Sequence, residues 1–331
     1  MKIAITGALG HIGSRLIREL PSAFRDAELV MLDDLSTQRY CSLFGLPPEG
    51  RYRFVEADIL TADLEATFAG CDVVVHLAAI TDATTSFEKR DLVEQVNVLG
   101  TRRVAKACLR TGSALIFPST TSVYGTQQAE VDEECTPSEL RPQSPYAESK
   151  LEAERLLTEL GEAEGLRFIT CRFGTIFGVS PGMRFHTAIN KFCWQAALGQ
   201  PITVWRTALH QSRPYLDLAD AMEAIKLIFA RGLYDRRIYN VLTLNTTVQE
   251  IVKVLTSSAP DVTIRYVDSR IMNQLSYVVA DRRFRALGFT PRGCLEEGVE
   301  ATIRLLRGVR RPLGRVEVLS HGPAPGGGDE G

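Results

Sequence analysis

A tyrosine and a lysine four residues apart, Tyr146 and Lys150, could together carry out acid–base chemistry in this 331-residue chain. Residues at positions i and i+4 of a helix share one face, so the phenol and the ammonium would lie close together. A nearby ammonium favours the phenolate and lowers the pKa of the tyrosine. A phenol tuned in this way can exchange a proton with a substrate hydroxyl. The same spacing also occurs by chance on exposed helix faces, so its interpretation depends on the surrounding sequence.

A hydroxyl-rich segment, Ser119–Gly125, directly follows a predicted strand at Ala114–Pro118. Open α/β sheets bind their ligands at the carboxyl ends of their parallel strands. We therefore expect Thr120 to be the third member of the catalytic set. Thr121 and Ser122 could instead form only a polar turn.

Three glycines, Gly7, Gly10 and Gly13, lie between a predicted strand at Lys2–Thr6 and a predicted helix at His11–Leu20. The first permits a tight turn, the second lets the backbone approach a pyrophosphate, and the third lets helix and strand pack closely. The helix N-terminus then presents free N–H groups and the positive end of its dipole to phosphates. This pattern predicts a dinucleotide-binding site.

Two acidic residues follow the next predicted strands. Asp33 comes after Glu28–Leu32 and could accept hydrogen bonds from ribose hydroxyls while repelling a 2′-phosphate, which favours NAD over NADP. Its alternative role is to cap a turn. Asp58 comes after Arg53–Ala57 and could hydrogen-bond an adenine or cap a helix.

These residues require a sheet that brings strand ends together, and the first half of the chain alternates apolar strands with helical patterns. Such alternation predicts an α/β fold of the Rossmann type, with a doubly wound parallel sheet covered by helices on both faces. We assign residues 1–178 to this NAD-binding domain and residues 179–318 mainly to a smaller C-terminal substrate-binding lobe. Residues 319–331 are rich in Gly and Pro, and we expect a disordered tail there. Further predicted elements are strands at Asp72–Leu77 and Arg167–Arg172 and helices at Asn97–Thr111, Tyr146–Ala163, Ala188–Leu198, Leu218–Ala230 and Val248–Leu255.

Composition excludes several other classes of function. The formal net charge of −2 gives no general attraction to nucleic acid or an anionic membrane, and no apolar stretch is long enough to span a bilayer. The seven cysteines contain no CxxC pair, which indicates free thiols in a reducing compartment rather than disulfides or a zinc site. The chain enters a strand without a signal peptide. We therefore expect a cytoplasmic protein without a metal.

Taken together, these motifs resemble the extended short-chain dehydrogenase/reductases, specifically the NAD-dependent epimerase/dehydratase family of nucleotide-sugar enzymes. The resemblance runs from Met1 to about Leu306. It implies an NAD cofactor and a homodimer. It assigns catalysis to Thr120, Tyr146 and Lys150. It assigns cofactor contacts to Gly7, Gly10, His11, Ile12, Gly13, Asp33, Asp58, Ile59, Leu77, Ala78, Ala79, Asn97, Tyr146 and Lys150.

The resemblance also implies a substrate site in the second half of the chain. Arg213 precedes an aromatic residue and an aspartate, as the family's phosphate-binding arginine does, and a guanidinium pairs with phosphate oxygens in fork geometry. Arg270, Asn190, Asp281 and Thr121 are further candidates for contacts with the sugar nucleotide. Each could instead be an ordinary structural or surface residue.

The residues after Thr120 distinguish among the family's reactions. Family dehydratases carry an Asp-Glu pair there, and related decarboxylases carry a glutamate where Ser122 stands. This chain has Thr121 and Ser122, and hydroxyl residues at these positions are typical of the 4-epimerases. Thr175 also stands where the family usually has an asparagine, which indicates an altered sugar pocket.

The sequence therefore predicts a nucleotide-sugar 4-epimerase that acts on a UDP-hexose or UDP-uronic acid through a transient 4-keto sugar. An NAD(P)H-dependent 4-ketoreductase would use the same residues. A non-catalytic NAD-sensing regulator is the alternative of a different class. The intact set of Thr120, Tyr146 and Lys150 argues against that regulator, because a sensor needs no proton donor.

Overall fold

The computed structural model describes residues 1–125, 130–268 and 276–309. The predicted disordered tail and the candidate substrate residue Arg270 lie outside these ranges. Within them the strands are β1 (Lys2–Thr6), β2 (Glu28–Asp33), β3 (Arg51–Glu56), β4 (Val73–His76), β5 (Ala114–Thr120), β6 (Glu130–Val131), β7 (Phe168–Phe173), β8 (Thr175–Phe177), β9 (Ile202–Trp205), β10 (Ser212–Asp217), β11 (Ile238–Val241), β12 (Leu244–Thr247), β13 (Ile264–Val267) and β14 (Val278–Val279).

The α-helices of the described ranges are α1 (His11–Ala23), α2 (Leu64–Phe68), α3 (Arg90–Glu94), α4 (Gly100–Thr111), α5 (Pro145–Glu164), α6 (Ala188–Ala197), α7 (Leu218–Arg231), α8 (Val248–Ser258), α9 (Arg282–Arg285) and α10 (Leu295–Leu306). A π-helical turn at Gln95–Leu99 joins α3 to α4, so the helix predicted from Asn97 begins earlier, at Arg90. None of the helices in the described ranges combines the length and the apolar character needed to cross a lipid bilayer.

A seven-stranded parallel sheet forms the centre of the molecule, in the order β11-β7-β5-β4-β1-β2-β3. Alternate residues of β1 point to opposite faces. Ile3 and Ile5 pack against α1 and α7, whereas Ala4 packs in the core formed with α4 and α5. The predicted doubly wound Rossmann-type fold is confirmed, because helices cover both faces of a parallel sheet.

Two elements from the second half of the chain belong to this central layer. Strand β11 pairs in parallel with β7, and α7 shares a buried core with α1. The sequence pattern does not predict β11, because its buried Asn240 interrupts its apolar character. The division at residue 178 remains an interpretation from sequence, and residues 218–241 return to the large sheet across it.

The remainder of the second half forms a smaller layer. Strand β10 pairs with β12 antiparallel and with β8 in parallel. A separate buried core joins this small sheet to α6, α8 and α10 through residues such as Phe177, Ile251 and Val299. Because β8 follows β7 almost directly, the small sheet begins at the carboxyl edge of the large one.

A buried ion pair fixes α5 against the large sheet. Arg172 of β7 and Glu154 of α5 are 3% and 2% exposed, and their closest N–O distance is 2.7 Å. The Ser119 hydroxyl donates to the same carboxylate, and the Tyr124 hydroxyl accepts from Arg172 at 2.8 Å. The pair therefore ties the helix that carries Tyr146 to β7, and the Ser119 contact ties it to β5, the strand that ends in Thr120.

Replacing Arg172 with methionine should destabilise the fold, because Glu154 would be left as a buried charge without its partner. Removal of one partner from a buried pair costs about 3–5 kcal/mol. Arg155→Met is a matched control on the exposed pair that Arg155 forms with Glu152 at 3.5 Å, and it should change stability by about 0.5 kcal/mol or less. Urea unfolding of both variants checks this. If the two substitutions changed the free energy of unfolding equally, the buried pair would contribute no more to stability than the exposed one.

Candidate active site and cofactor cleft

A single cleft runs along the carboxyl ends of the large sheet, with a cavity volume of about 580 Å³. Residues at or just beyond the ends of six of its seven strands line it. The sequence-predicted residues that line it are Gly7, Gly10, His11, Ile12, Gly13, Asp33, Asp58, Ile59, Leu77, Ala78, Ala79, Thr120, Tyr146 and Lys150. The structure thus brings the glycine-rich turn and the three candidate catalytic residues into one continuous cleft.

The turn after β1 can exist only with glycine at its first position. Gly7 has a φ of +67°, and a Cβ there would lie 2.6 Å from the backbone nitrogen of Ala78. At Gly13 a Cβ would lie 2.6 Å from the carbonyl oxygen of Ala8. Helix α1 then begins after Gly10 without a side-chain cap. Its first N–H groups are therefore available to an anion, as the diphosphate of a dinucleotide requires.

Asp33 holds this turn from the end of β2. Its two oxygens accept from the backbone N–H groups of Leu9 and Leu35, each at 3.0 Å. Burial raises the pKa of Asp33, although both N–H groups act in the opposite direction. The carboxylate therefore organises the glycine-rich turn and also lines the cleft.

Asp58 lines the cleft without capping a helix. Its Oδ1 accepts from the N–H of Leu60 at 2.8 Å, whereas the cap of α2 is Asp63, which accepts from Ala66 at 3.0 Å. The alternative of a helix cap at Asp58 is therefore wrong.

Helix α5 carries the candidate catalytic pair, Tyr146 and Lys150, into the cleft. Ser144 caps the helix by accepting from the N–H of Ala147 at 3.2 Å, and Pro145 supplies its first turn. Tyr146 makes a side-chain hydrogen bond with Thr120, the last residue of β5. A threonine hydroxyl and a tyrosine hydroxyl thus share a proton path at the carboxyl end of a central strand.

Lys150 is buried below these hydroxyls. Its Nζ donates to the carbonyl of Pro118 at 2.9 Å and lies 4.5 Å from the centre of the Phe117 ring. Burial lowers the pKa of Lys150 to about 8, and the charge of Glu154 opposes part of this shift. Burial also raises the pKa of Tyr146, against the Thr120 hydrogen bond and the charge of Arg184. The lysine therefore changes protonation close to the physiological range.

Two of the predicted contact residues support the cleft without lining it. Asn97 accepts from the N–H of Ile80 at 2.8 Å and donates to the Ser149 hydroxyl at 2.9 Å. It thereby ties the segment after β4 to α5. Asn190 is fully buried and donates to the carbonyl of Arg184 at 2.9 Å. Their assignment to ligand contacts remains a prediction, and their observed contacts are with the chain itself.

The remaining candidate substrate residues lie away from the cleft lining. The Thr121 hydroxyl donates to the carbonyl of Phe173 at 3.2 Å. The Arg213 guanidinium lies 5.0 Å from the centre of the Tyr277 ring. Asp281 accepts from Arg285 at 2.7 Å. The structure does not bring these three side chains together with the catalytic set.

Several cleft residues were not identified from the sequence. Arg184, His186 and Thr187 enter from the segment after β8, and Thr81 and Asp82 enter from the segment after β4. Pro181 and Gly182 are turn-forming residue types, but no local sequence pattern shows where the segment that contains them folds back. Thr175 also lines the cleft, as its position in the family pattern implies.

A comparison with family models matches residues 3–241 to the NAD dependent epimerase/dehydratase family. This chain belongs to that family. Members of the family are NAD-dependent enzymes, and NAD is therefore the cofactor of this cleft. The positive-φ turn at Gly7 and the uncapped N-terminus of α1 fit its diphosphate.

Relatives within the NAD-dependent epimerase/dehydratase family are named for different reactions. The trifunctional UDP-glucose 4,6-dehydratase/UDP-4-keto-6-deoxy-D-glucose 3,5-epimerase/UDP-4-keto-L-rhamnose-reductase RHM1 of Arabidopsis thaliana is 32% identical over 91% of this chain. The chain spans only 46% of that relative's length. The dTDP-glucose 4,6-dehydratase of Streptomyces griseus is 31% identical over 91% of this chain and 92% of its own.

A solved family structure resembles the whole described fold. UDP-glucuronic acid 4-epimerase from Bacillus cereus, in complex with UDP-glucuronic acid and NAD, superposes with a TM-score of 0.81 at 25% identity. The match covers 93% of this chain and 99% of that one. The comparisons therefore include both epimerases and dehydratases, and the reaction has to be argued from the cleft.

Replacing Lys150 with methionine should stabilise the cofactor-free protein at neutral pH. Folding of the wild type buries the charged ammonium of Lys150, and the uncharged methionine removes this cost. A lowered lysine pKa, about 8 against 10.5 in its ordinary state, corresponds to a gain on the order of 3 kcal/mol. The gain is complete below pH 8, where both states are protonated, and disappears as the pH rises to about 10.5, where both are neutral. Urea unfolding between pH 7 and 10.5 measures it.

The control for this prediction is Lys226→Met. Lys226 is paired with Glu19 and Glu223 at 2.6 and 2.8 Å, and its pKa is raised despite partial burial. This substitution should lower stability at neutral pH. A loss of stability in Lys150→Met that does not vary with pH would contradict the buried charge.

Proposed function

We propose that this enzyme is a nucleotide-sugar 4-epimerase that acts on a UDP-hexose or UDP-uronic acid through a transient 4-keto sugar. The observation that carries the proposal is the chemistry that follows Thr120. Thr121 donates to a backbone carbonyl away from the cleft lining, and the neutral residue Ser122 lines the cleft. Loss of water from C5 and C6 of a sugar needs an acid and a base, and neither hydroxyl is suited to that work.

The carboxylates that line the cleft within the described residues do not replace the missing pair. Asp33 ends β2, Asp34 follows it and Asp58 follows β3, all at the end of the cleft expected to hold the adenosine. Asp82 lies after β4 and accepts from the N–H groups of Thr84 and Thr85 at 2.9 and 3.3 Å. Burial alone would raise the pKa of Asp82, but these N–H groups outweigh it and the pKa is lowered. Asp82 is thus kept ionised and is a poor proton donor.

The remaining groups suffice for reversible oxidation at one carbon. Tyr146 accepts the proton of the sugar 4-hydroxyl, and the Thr120 hydroxyl connects the two groups. Lys150 places a positive charge on the same face of α5 and favours the phenolate. Bound NAD supplies a reversible acceptor for the C4 hydride. After the keto sugar has turned in the site, Tyr146 returns the proton while the hydride is returned to the opposite face.

The assignment of a UDP-sugar rests on the ligand of the Bacillus cereus structure and on the residues of the small layer. Arg213 is half-buried on β10, and within the described ranges no carboxylate lies within salt-bridge distance of it. We propose that it contacts the substrate diphosphate after a rearrangement, with Arg270, Asn190, Asp281 and Thr121 as further candidates. A charge-assisted contact to phosphate is short and strong, so Arg213 would account for much of the affinity for the nucleotide.

Two competing reactions make different demands on cofactor and product. A 4,6-dehydratase is favoured by the Streptomyces griseus relative, and it would release a 4-keto-6-deoxy sugar. A 4-ketoreductase would consume reduced cofactor in proportion to product. An epimerase returns each hydride that it takes, so one bound NAD serves many turnovers.

The purified enzyme should interconvert the C4 epimers of a UDP-sugar without a net change in NADH absorbance. Incubation with UDP-glucose, UDP-galactose, UDP-glucuronic acid and UDP-galacturonic acid, with and without NADH, followed by chromatography, tests this. Release of a 4-keto-6-deoxy product would establish the dehydratase. Consumption of NADH in proportion to a 4-keto substrate would establish the ketoreductase.

Tyr146→Phe provides the chemical control, because it removes one hydroxyl and little volume. Loss of a general acid–base group costs about 10²–10⁴-fold in rate. NAD affinity should be unchanged. A variant that retains nearly the full rate would exclude Tyr146 from the mechanism.

We further propose that the protein is a homodimer in the cytoplasm. Four of the seven free cysteines, Cys71, Cys108, Cys171 and Cys193, are buried, which suits a reducing compartment. Phe87, Leu92 and Leu99 expose apolar surface around α3 and its π-helical turn, where a second copy could cover it. Light scattering should give twice the mass of the chain, and a monomer at micromolar concentration would contradict the dimer.

A further inference from the structure

Four basic side chains converge where α1 begins, and the cofactor turn alone does not account for them. His11, Arg39, Arg184 and His186 all line the cleft. Arg39 lies close to the turn. One of its guanidinium nitrogens is 4.0 Å from the position that a Cβ atom would occupy if Gly10 were replaced by a larger residue. Within the described residues, no carboxylate lies within salt-bridge distance of Arg39 or Arg184. Two guanidinium groups, those of Arg39 and Arg184, therefore lie in one cleft without a carboxylate in direct contact with either among the described residues.

Arg184 comes from the segment after β8, and that segment is fastened to the start of α1. The carbonyl of Gly178 accepts from the Nε2 of His11 at 2.8 Å. The Ser180 hydroxyl donates to the carbonyl of His11 at 2.8 Å, and the N–H of Gly182 donates to the Ser14 hydroxyl at 2.9 Å. These contacts join positions more than 160 residues apart in the chain. They place the segment directly over the glycine-rich turn.

The arginine itself is held in a defined orientation. Its backbone carbonyl accepts from Asn190, and its guanidinium donates to the Thr81 hydroxyl on the far side of the cleft. Its charge acts on Asp33 and Arg39 at one end of the cleft and on Tyr146 at the other. Arg184 therefore lies between the site expected for the adenosine ribose and the catalytic tyrosine. In a dinucleotide that binds along this cleft, the diphosphate occupies the middle.

We propose that Arg184, assisted by Arg39, clamps the diphosphate of NAD from the side opposite the N-terminus of α1. The glycine-rich turn would then bind the anion through backbone N–H groups while the second half of the chain closes over it with two guanidinium groups. A guanidinium offers planar, paired donors that match phosphate oxygens. The inference depends on NAD as the cofactor and not on which sugar reaction the enzyme catalyses.

The proposed clamp also accounts for the proximity of two positively charged side chains, Arg39 and Arg184. Burial, followed by the charge of Arg39, lowers the pKa of Arg184 to about 10. Burial lowers the pKa of His11 to about 4, although its contact with Gly178 opposes this, and His11 is therefore neutral. Because a carbonyl can only accept, the neutral imidazole must carry its proton on Nε2. An incoming diphosphate would relieve the repulsion between the two arginines.

The test compares ligands that contain the diphosphate with one that lacks it. Full-length protein freed of nucleotide is titrated with NAD and ADP-ribose by calorimetry and with adenosine by NMR. In Arg184→Gln, NAD and ADP-ribose should bind between about tenfold and about 150-fold more weakly, as expected for a hydrogen bond to a charged group. Adenosine affinity should stay the same. Arg184→Lys keeps the charge without the fork and should show a smaller loss of the same selectivity.

Arg206→Gln is the matched control from the same half of the chain. Arg206 is exposed and pairs with Asp268 at 3.5 Å, so its loss should leave all three affinities unchanged. The proposal is wrong if NAD and ADP-ribose bind Arg184→Gln within about threefold of the wild type. It is equally wrong if adenosine weakens in parallel, which indicates a structural role, or if UDP alone weakens, which assigns Arg184 to the substrate. Should Arg184→Gln fail to fold, the same comparison in Arg184→Lys decides.

Discussion

The buried ammonium of Lys150 is the constraint on which the rest of the site depends. A charge in this position is costly to fold around, and it is tolerated because the carbonyl of Pro118 accepts from it at 2.9 Å and the ring of Phe117 lies beneath it. Glu154 provides a negative charge one helical turn further along α5 but is itself fully engaged with Arg172. Within the described residues, Lys150 thus has no carboxylate within salt-bridge distance, and its charge lies on the face of α5 that also carries Tyr146. Its cost in stability is the counterpart of the role proposed for it beside the phenol.

The cleft is built from two parts of the chain that fold back onto one another. The first half supplies the strand ends, the glycine-rich turn and the candidate catalytic pair on α5. The second half supplies β11 and α7 to the large sheet and returns its 178–187 segment to the start of α1. Elements from both halves of the chain consequently line one cleft. The small layer is connected to that cleft through the hydrogen bond from Asn190 to the carbonyl of Arg184.

The sequence predicted those site residues whose positions are determined by their immediate neighbours in the chain. The glycine-rich turn, Asp33, Thr120 and the pair on α5 each occur at the end of a strand or the start of a helix, where residue types and spacing directly determine position. Arg184 could not be found this way, because its location depends on hydrogen bonds from Ser180 and Gly182 to residues of α1. Strand β11 was missed because the polar Asn240 is satisfied by distant partners, the Tyr124 hydroxyl and the carbonyl of Ala280.

The central claim is that a hydride leaves C4 and returns to the same carbon without water being lost. The most direct measurement uses a UDP-sugar deuterated at C4, incubated with the enzyme, and mass spectrometry combined with NMR of the epimerised product. The account predicts that deuterium is retained at C4 in both epimers, with none transferred to added cofactor and no solvent hydrogen incorporated at C5. Transfer of the C4 label to C6 with solvent hydrogen at C5 would contradict it, because that pattern belongs to elimination of water.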